Sequence, residues 1–114
     1  MEVVNYEALE PFTTKDGSTI REFIHSPAQS LAEATLEPGQ ETRRHYHRVS
    51  EELYYIEEGT GEMELDGERA AVGPGDAILI PPGAWHQIGA TGGTLRFLCC
   101  CAPPYSHDDT YFGP

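Results

Sequence analysis

Stretches in which apolar and polar residues alternate run along most of the chain, and residues typical of turns separate them. Alternation with a period of two is typical of half-buried β-strands, and Gly or Pro at intervals of about eight to twelve residues is typical of an all-β sandwich or barrel. The pattern therefore predicts an all-β fold with little helix. The predicted strands are Thr19–Ile24, Ser30–Leu36, Glu41–Arg48, Glu52–Glu57, Gly61–Leu65, Ala77–Ile80, His86–Ile88 and Thr94–Cys101.

The clearest turn signal is the pair Asp66-Gly67, which is flanked by alternating residues. Asp-Gly favours a two-residue hairpin because both turn positions take positive φ angles. The other segments with turn chemistry are Glu37-Pro38-Gly39-Gln40, Glu58-Gly59-Thr60, Gly73-Pro74-Gly75-Asp76 and Pro81-Pro82-Gly83. The sequence thus predicts short strands joined by tight turns.

Two predicted strands are apolar on both faces. Consecutive residues are apolar in Leu53-Tyr54-Tyr55-Ile56 and in Ile78-Leu79-Ile80, although neighbours on a strand point to opposite sides of a sheet. A strand buried on both sides needs a second covering layer. We therefore expect a partner subunit or a terminal segment to cover this face, and we predict a homodimer. The alternative is that Leu53 and Tyr55 are single exposed apolar residues, which are ordinary.

The size and charge of the chain narrow its class. A chain of 114 residues corresponds to one domain, which we expect to span residues 1–114. The net charge of −12, from 19 acidic and 7 basic residues, would repel nucleic acid and an anionic membrane. No apolar run approaches the roughly 20 residues that span a bilayer, and the first residues lack the regions of a signal peptide. We expect a cytoplasmic protein that binds neither nucleic acid nor membrane.

Three cysteines, Cys99-Cys100-Cys101, are consecutive in a predicted strand. An odd and clustered set is no disulfide framework. On a strand, Cys99 and Cys101 share one face and Cys100 takes the other. The expected role of these residues is that of small, buried apolar side chains.

A set of residue types suited to metal binding begins inside the third predicted strand, Glu41–Arg48. His45 and His47 are two positions apart, so on a strand both imidazoles project from one face and can converge on one ion. Glu52 is an odd number of positions from both histidines, so on a regular strand its side chain would point to the opposite face. The segment Arg48–Glu51 must therefore contain a turn or irregularity if Glu52 is to join them.

His86 completes the candidate set. It follows Pro81-Pro82-Gly83, where rigid Pro and permissive Gly can redirect the chain. A lone histidine at such a place would more often be a satisfied core residue than a ligand. Together with His45, His47 and Glu52, however, it forms a nitrogen and oxygen set suited to Fe, Mn, Ni, Cu or Zn. In an octahedral ion, four protein ligands leave two positions open for substrate, water or dioxygen.

These residues resemble the two motifs of the cupin family. Gly39, His45, His47, Glu52 and Gly59 fit the first motif, G-x5-H-x-H-x4-E-x6-G, and Gly75, Pro81, Gly83 and His86 fit the second, G-x5-P-x-G-x2-H. The second motif usually ends in Asn, and Ala90 stands there instead, which puts a turn contact in doubt rather than the metal site. The resemblance covers residues 36–101. It implies a double-stranded β-helix with one divalent transition metal inside its wider end.

For residues outside the motifs, the expected orientation follows from their position in a strand, because alternate residues point to the same face. Arg43 shares the parity of the two nearby histidines, so it could point inward and bind a substrate anion. Its alternative role is surface pairing with Glu41 and Glu51. Tyr54 shares the face of Glu52 and is a candidate pocket wall or proton donor, with plain core packing as the alternative. His25 and His107 are expected not to be ligands, and the segments before about residue 18 and after residue 103 are assigned no chemistry.

The resemblance implies a metal-dependent enzyme that takes a small-molecule ligand into the barrel. Three histidines and one glutamate are similar to the set in quercetin dioxygenases, acireductone dioxygenases and oxalate-degrading cupins, so dioxygenase-like chemistry is preferred. A sugar-phosphate isomerase-like enzyme and a non-catalytic metabolite-binding module are the alternatives, because the fold alone does not choose the reaction.

Overall fold

Strands make up most of the chain in the computed structural model, which describes every residue from Met1 to Pro114. Its helical elements are two short 3-10 turns, Tyr6–Ala8 and His107–Asp109. The strands are β1 (Phe12–Thr13), β2 (Thr19–His25), β3 (Ser30–Leu36), β4 (His45–His47), β5 (Glu51–Leu65), β6 (Glu68–Val72), β7 (Ala77–Ile80), β8 (His86–Ala102) and β9 (Thr110–Phe112). The all-β prediction is confirmed. None of the helical turns has the length and apolar character needed to cross a membrane.

Two long strands, β5 and β8, organise the sheet. They pair with each other along most of their length, and β8 also pairs with β3 and β4. β5 also pairs with β6 and β7. β3 pairs with β2, β2 pairs with β1, and β9 pairs with β4. All of these pairs are antiparallel. Because both long strands have partners on two sides, the sheet curls around one interior.

One predicted turn, Glu58-Gly59-Thr60, lies inside a long strand, and the gap between two predicted strands at residues 89–93 lies inside the other. The segments Glu52–Glu57 and Gly61–Leu65 were expected as separate strands, but both belong to β5. Register shifts between Ile56 and Gly61 absorb the irregularity, and Gly59 there has a φ of 80°. A Cβ at this position would collide with the carbonyl group of Thr94 on the paired strand. The glycine therefore bends the strand instead of ending it, and the predicted strands His86–Ile88 and Thr94–Cys101 are likewise joined in β8.

The hairpin at Asp66-Gly67 is confirmed, with φ angles of 48° and 89°. Its second strand, β6, was not predicted. Residues 68–71 are exposed and mostly polar or small, so they lack the alternation that marks a half-buried strand. Pairing with β5 defines β6 instead.

The predicted strand Glu41–Arg48 was too long. Only His45–His47 forms a strand, and Glu41 makes a single bridge to Gly89. The backbone amide of Arg43 instead donates to the carbonyl oxygen of Asp16 at 2.7 Å. Because this segment leaves the ladder, the alternation of faces that a strand imposes does not extend to residues 41–44.

The core consists of side chains on the inner face of the curled sheet. The largest fully buried apolar residues are Leu36, Ile56, Ile80, Ile88, Leu95 and Phe97. Burying a side chain of this size contributes about 1.5–3 kcal/mol. Burial of this face therefore drives closure of the sheet around its interior.

An apolar patch lies on the outer face. Leu53 pairs with Leu79 on one side and with Cys100 on the other. Leu53, Tyr55 and Leu79 are 46%, 47% and 52% exposed. The prediction that β5 and β7 are apolar on both faces is thus confirmed for these residues, and no terminal segment buries them. We call the cluster of these three side chains the outer patch.

Candidate metal centre

Three buried histidines meet inside the barrel. His45 and His47 project from the same face of β4, and His86, the first residue of β8, pairs in register with His45. One ring nitrogen from each of the three lies within 4.8 Å of the others. The three residues are 2%, 4% and 0% exposed. Spacing along the chain predicted this convergence, and the structure brings the three side chains together.

Hydrogen bonds fix the orientation of the three rings. Nδ1 of His45 lies 2.7 Å from the carbonyl oxygen of Arg43, and Nδ1 of His86 lies 3.0 Å from that of Ala84. Because a carbonyl oxygen can only accept, Nδ1 is the donor in both rings, and a neutral ring then keeps the lone pair on Nε2 free. Nδ1 of His47 lies 3.3 Å from Oγ1 of Thr110. Such outer contacts are typical of histidines that bind a metal through the other nitrogen.

Glu52 lies beside two of the three histidines. Its Oε1 atom is 3.4 Å from Nε2 of His47 and 3.5 Å from Nε2 of His86. It is not part of the three-histidine group in which all ligand atoms lie within 4.8 Å of one another. The other oxygen, Oε2, accepts a hydrogen bond from Sγ of Cys101 at 3.2 Å. One carboxylate oxygen is thus held in place, and the other faces the imidazoles.

The residues present fit a metal ion. Oε1 of Glu52 and Nε2 of His86 are both buried and have no hydrogen-bond partner, which is costly for polar atoms in a protein interior. A cation between them would satisfy both atoms. Three imidazole nitrogens and one carboxylate oxygen suit a divalent transition metal.

Asp109 makes the turn that lets Glu52 face the histidines. Its carboxylate accepts hydrogen bonds from the backbone amides of Arg48, Val49 and Ser50, each at 3.1 Å. Sequence parity predicted an irregularity between residues 48 and 51, and this prediction is confirmed. The residue that stabilises it comes from the C-terminal segment, which had been assigned no chemistry.

The surroundings shift the pKa values of three of the four candidate ligands. Burial lowers the pKa of His45 to about 4, with a further contribution from His86, so its ring is neutral near pH 7. Burial alone would raise the pKa of Glu52, but the imidazoles of His47 and His86 beside its carboxylate outweigh burial and hold that pKa well below its usual range. For His47, the effect of burial is outweighed by the nearby carboxylate of Glu52, and the pKa is raised.

The centre opens into a narrow cavity of about 50 Å³. The wall is mainly apolar, and none of the residues that line it is Lys or Arg. The apolar part consists of Phe12, Ile20, Ala32, Ala34, Tyr54, Phe97, Cys99, Cys101 and Tyr105, and the polar part consists of Thr14, Asp16, Ser18, Glu22 and Ser30 beside the ligands. The cavity suits a small molecule with an apolar body.

The two candidate pocket residues have different positions. Tyr54 is buried on the cavity wall, with its ring centre 4.7 Å from that of Phe97 and 6.1 Å from that of His86. Arg43 is exposed and does not line the cavity; its guanidinium lies over the ring of Phe112 at 4.4 Å. The inward orientation, one of the two roles left open for Arg43, does not occur, because the alternation of faces on a strand does not extend to that residue.

Both terminal segments contribute to the site, which the sequence analysis missed. Phe12, Thr14 and Asp16 from the N-terminal segment and Tyr105 from the C-terminal one line the cavity. The turn residues Asp16-Gly17-Ser18 are visible in the sequence, but nothing local shows where the turn docks. His25 lies 3.3 Å from Glu22, and neither it nor His107 belongs to the histidine cluster.

The family of the chain follows from its sequence as well as its fold. Residues 32–101 match the family model described as "Cupin domain". The matched segment holds all four candidate ligands, and a structure of an RmlC-like cupin from Shewanella frigidimarina covers 95% of the chain with a TM-score of 0.83 at 19% identity. The chain therefore belongs to the cupin family, an all-β fold with a histidine cluster that can bind a metal.

Relatives with stated activities catalyse different reactions. The protein MJ1618 of Methanocaldococcus jannaschii, described as uncharacterized, is 50% identical over 111 residues, or 92% of this chain and 89% of that protein. The 5-nitrosalicylic acid 1,2-dioxygenase of a Bradyrhizobium species is 42% identical over 57 residues, which are 50% of this chain and only 27% of the dioxygenase. The structure of the polyketide cyclase RemF from Streptomyces resistomycificus matches with a TM-score of 0.84 at 25% identity, covering 98% of this chain and 84% of the cyclase.

Proposed function

We propose that this cupin is a metal-dependent enzyme that acts on a small organic molecule bound in the barrel. One divalent transition metal, Fe, Mn, Ni, Zn or Cu, would be held by His45, His47, Glu52 and His86. The observation that supports this best is the pair of buried, unpartnered atoms, Oε1 of Glu52 and Nε2 of His86, that lie 3.5 Å apart.

The chain's own residues position the substrate beside this centre. When bound, the metal would supply Lewis-acid polarisation of a substrate oxygen or activation of dioxygen. Tyr54 and Phe97 would hold the apolar body of the substrate and exclude water from the centre. We retain Tyr54 as a candidate for contact with the substrate. Arg43 has no access to the cavity from its position over Phe112, so we propose no contact for it.

Among the possible reactions, we prefer dioxygenase-like chemistry. It is supported by the similarity to the nitrosalicylate dioxygenase over a segment of 57 residues. A sugar-phosphate isomerase-like function is less favoured, because no Lys or Arg lines the cavity to neutralise a phosphate. A non-catalytic metabolite-binding module is the second alternative.

Metal analysis followed by an oxygen-uptake assay would test the proposal. The purified protein, loaded in turn with each of the five metals, is offered catechols, flavonols, diketones and oxalate. We expect one metal form to consume oxygen with one class, and His86→Ala to abolish both metal retention and turnover. Metal binding and ligand binding without turnover of any probe would favour the metabolite-binding module. A protein that retains none of the metals would contradict the proposal.

We also infer a homodimer formed through the outer patch. Leu53, Tyr55 and Leu79 lie on adjacent strands and are each about half exposed. Partly exposed large apolar side chains grouped on one sheet face are typical of surfaces covered by another chain. A two-fold pairing would bring the same patch from each subunit together.

A further inference from the structure

Asp16 presents an unused carboxylate oxygen to the metal-site cavity. Its Oδ1 atom accepts three hydrogen bonds, from Oγ1 of Thr14 at 2.6 Å and from the amide and hydroxyl of Ser18 at 2.9 and 2.6 Å. Its Oδ2 atom accepts none from the protein and lies 3.9 Å from Nε2 of His45. The side chain is 17% exposed and lines the cavity. The turn thus holds one oxygen rigidly and points the other at the centre.

The charge of the cavity restricts what can occupy it. Asp16 contributes a carboxylate to its wall in addition to Glu52, and no Lys or Arg is present there. A substrate carboxylate or phosphate placed beside Asp16 would be repelled by that carboxylate, and no Lys or Arg side chain lines the cavity to offset its charge. A hydroxyl or amine group, by contrast, would donate a hydrogen bond to Oδ2. Hydrogen bonds to a charged group are stronger than those between neutral groups.

We propose that Asp16 forms an acceptor subsite that selects substrates carrying a hydroxyl or amine beside their metal-binding oxygen, with an apolar body against Tyr54 and Phe97. This inference rests on the proposed function, because it describes the substrate of that metal site. It assigns Asp16 as a substrate-binding residue and makes neutral or cationic hydrogen-bond donors the favoured ligand class.

Asp16→Asn tests the subsite, because it should weaken the binding of hydrogen-bond donors and strengthen the binding of anions. The amide oxygen of Asn can still accept the three hydrogen bonds from Thr14 and Ser18, since the Ser18 amide can only donate. The amide nitrogen then occupies the place of Oδ2, so that an acceptor becomes a donor. Glu22→Gln is the matched control, because Glu22 lines the same cavity but is paired with His25 at 3.3 Å.

Binding is measured by calorimetry on zinc-loaded protein, since zinc has no redox chemistry and no turnover disturbs the equilibrium. The probes are catechol, its monomethyl ether and benzoate. For the wild type we expect catechol to bind most tightly and benzoate least. In Asp16→Asn we expect catechol to bind about tenfold more weakly, the ether to change by less than about twofold, and benzoate to bind more tightly. Glu22→Gln should leave the catechol affinity within about twofold.

Several results would overturn the subsite. The first is an unchanged catechol affinity in Asp16→Asn. The second is an equal loss of affinity for all three probes, which would indicate a structural role. The third is loss of bound zinc, which would make Asp16 a metal ligand. If Asp16→Asn does not fold, wild type that binds benzoate as tightly as catechol overturns the proposal by itself.

The result is independent of turnover. Discrimination that depends on Asp16 in a protein without oxygen uptake would contradict the proposed enzyme and support the subsite. Oxygen uptake by a protein whose ligand affinities do not change in Asp16→Asn would support the proposed enzyme and contradict the subsite. Should the wild type retain no zinc, the same comparison on metal-free protein decides the role of Asp16.

Discussion

Cys101 donates its thiol hydrogen to Oε2 of Glu52 at 3.2 Å, and the second oxygen of that carboxylate, Oε1, lies within 3.5 Å of Nε2 of both His47 and His86. A cysteine that sequence patterning treats as a small buried apolar residue therefore orients a candidate metal ligand. Outer contacts of this kind fix the direction of the ligand's lone pairs.

The first prediction concerns this contact. Cys101→Ala removes the donor and should weaken metal affinity by about tenfold, the lower end of the range for such outer contacts, because a thiol is a weak donor. Cys101→Ser keeps a donor and should retain most of the affinity. Competition with a chromogenic chelator measures both. Cys99→Ala is the control, since Cys99 lines the cavity without a hydrogen bond to Glu52. Equal affinities in all three variants would show that Glu52 is oriented without Cys101.

The second prediction concerns Asp109, which accepts hydrogen bonds from the amides of Arg48, Val49 and Ser50. Asp109→Ala leaves these amides without their acceptor and should lower the free energy of unfolding by about 1–3 kcal/mol. Because this turn positions Glu52, metal affinity should fall as well. Thermal melting with and without chelator measures both effects. Asp108→Ala is the matched control, as an adjacent exposed carboxylate that caps nothing, and a loss of equal size in that variant would argue against the capping role.

The sequence contained the parts of the site that depend on local spacing. The pair His45 and His47 needs only a strand, and the irregularity before Glu52 follows from parity. The site residues outside the motifs depend instead on contacts between distant segments. Asp109 reaches the amide of Val49 from 60 residues away along the chain, and no local pattern encodes such docking.

The fold likewise has some features that follow from local sequence and others that depend on contacts between distant segments. The all-β architecture and the Asp66-Gly67 hairpin follow from short-range preferences. The length of β5 does not, because Gly59 there has the same positive φ as a turn residue and is kept in the strand by pairing with β8. Arg43 does not point inward for a related reason, since the backbone amide of that residue donates a hydrogen bond to Asp16 and not to a neighbouring strand.

The third prediction tests the four candidate ligands individually. Glu52→Gln keeps the shape and one oxygen donor but removes the only negative charge among them, so it should give a folded barrel with weaker metal binding and altered metal preference. His47→Ala should lower occupancy further. Metal content by mass spectrometry, beside melting with and without chelator, measures this for changes at His45, His47, Glu52 and His86. Binding stabilises the native state, so wild type should melt at a higher temperature with metal. If Glu52→Gln alone retains full occupancy and preference, Glu52 is a neighbour and not a ligand.

The fourth prediction concerns the outer patch. Leu53→Glu places a charge in the centre of the proposed subunit interface and should convert a dimer into a monomer at micromolar concentration, as measured by light scattering. Val49→Glu is the matched control, because Val49 is 55% exposed in the turn after β4 and lies outside the patch. A monomeric wild type would contradict the dimer, and so would a Leu53→Glu protein that stays dimeric.

A group of acidic side chains around Arg96 provides the basis for a pH-dependent stability. The Arg96 guanidinium lies 3.3 Å from Oε1 of the buried Glu33 and 2.9 Å from Oε2 of Glu58. Glu57, next to Glu58, is a third carboxylate in this group. Desolvation of its carboxyl group raises its pKa to about 7, and the nearby carboxylate of Glu33 raises it further.

The fifth prediction is that this group makes the protein more stable in mild acid. The ordinary pKa of a glutamate is 4.5 and that of Glu57 is about 7, so between these pH values the folded state holds a proton that the unfolded chain has released. Stability therefore falls as pH rises through this window, and the destabilisation by Glu57 is fully present above pH 7. Thermal melts of the metal-free protein from pH 8 to pH 5 should show a midpoint that changes more favourably toward pH 5 in wild type than in Glu57→Gln, which cannot ionise. The comparison between the two proteins removes the opposing contribution of His45, whose pKa is lowered to about 4. Glu68→Gln, a change at an exposed glutamate on β6, is the control and should follow wild type. Identical slopes for Glu57→Gln and wild type would show that Glu57 titrates alike in both states.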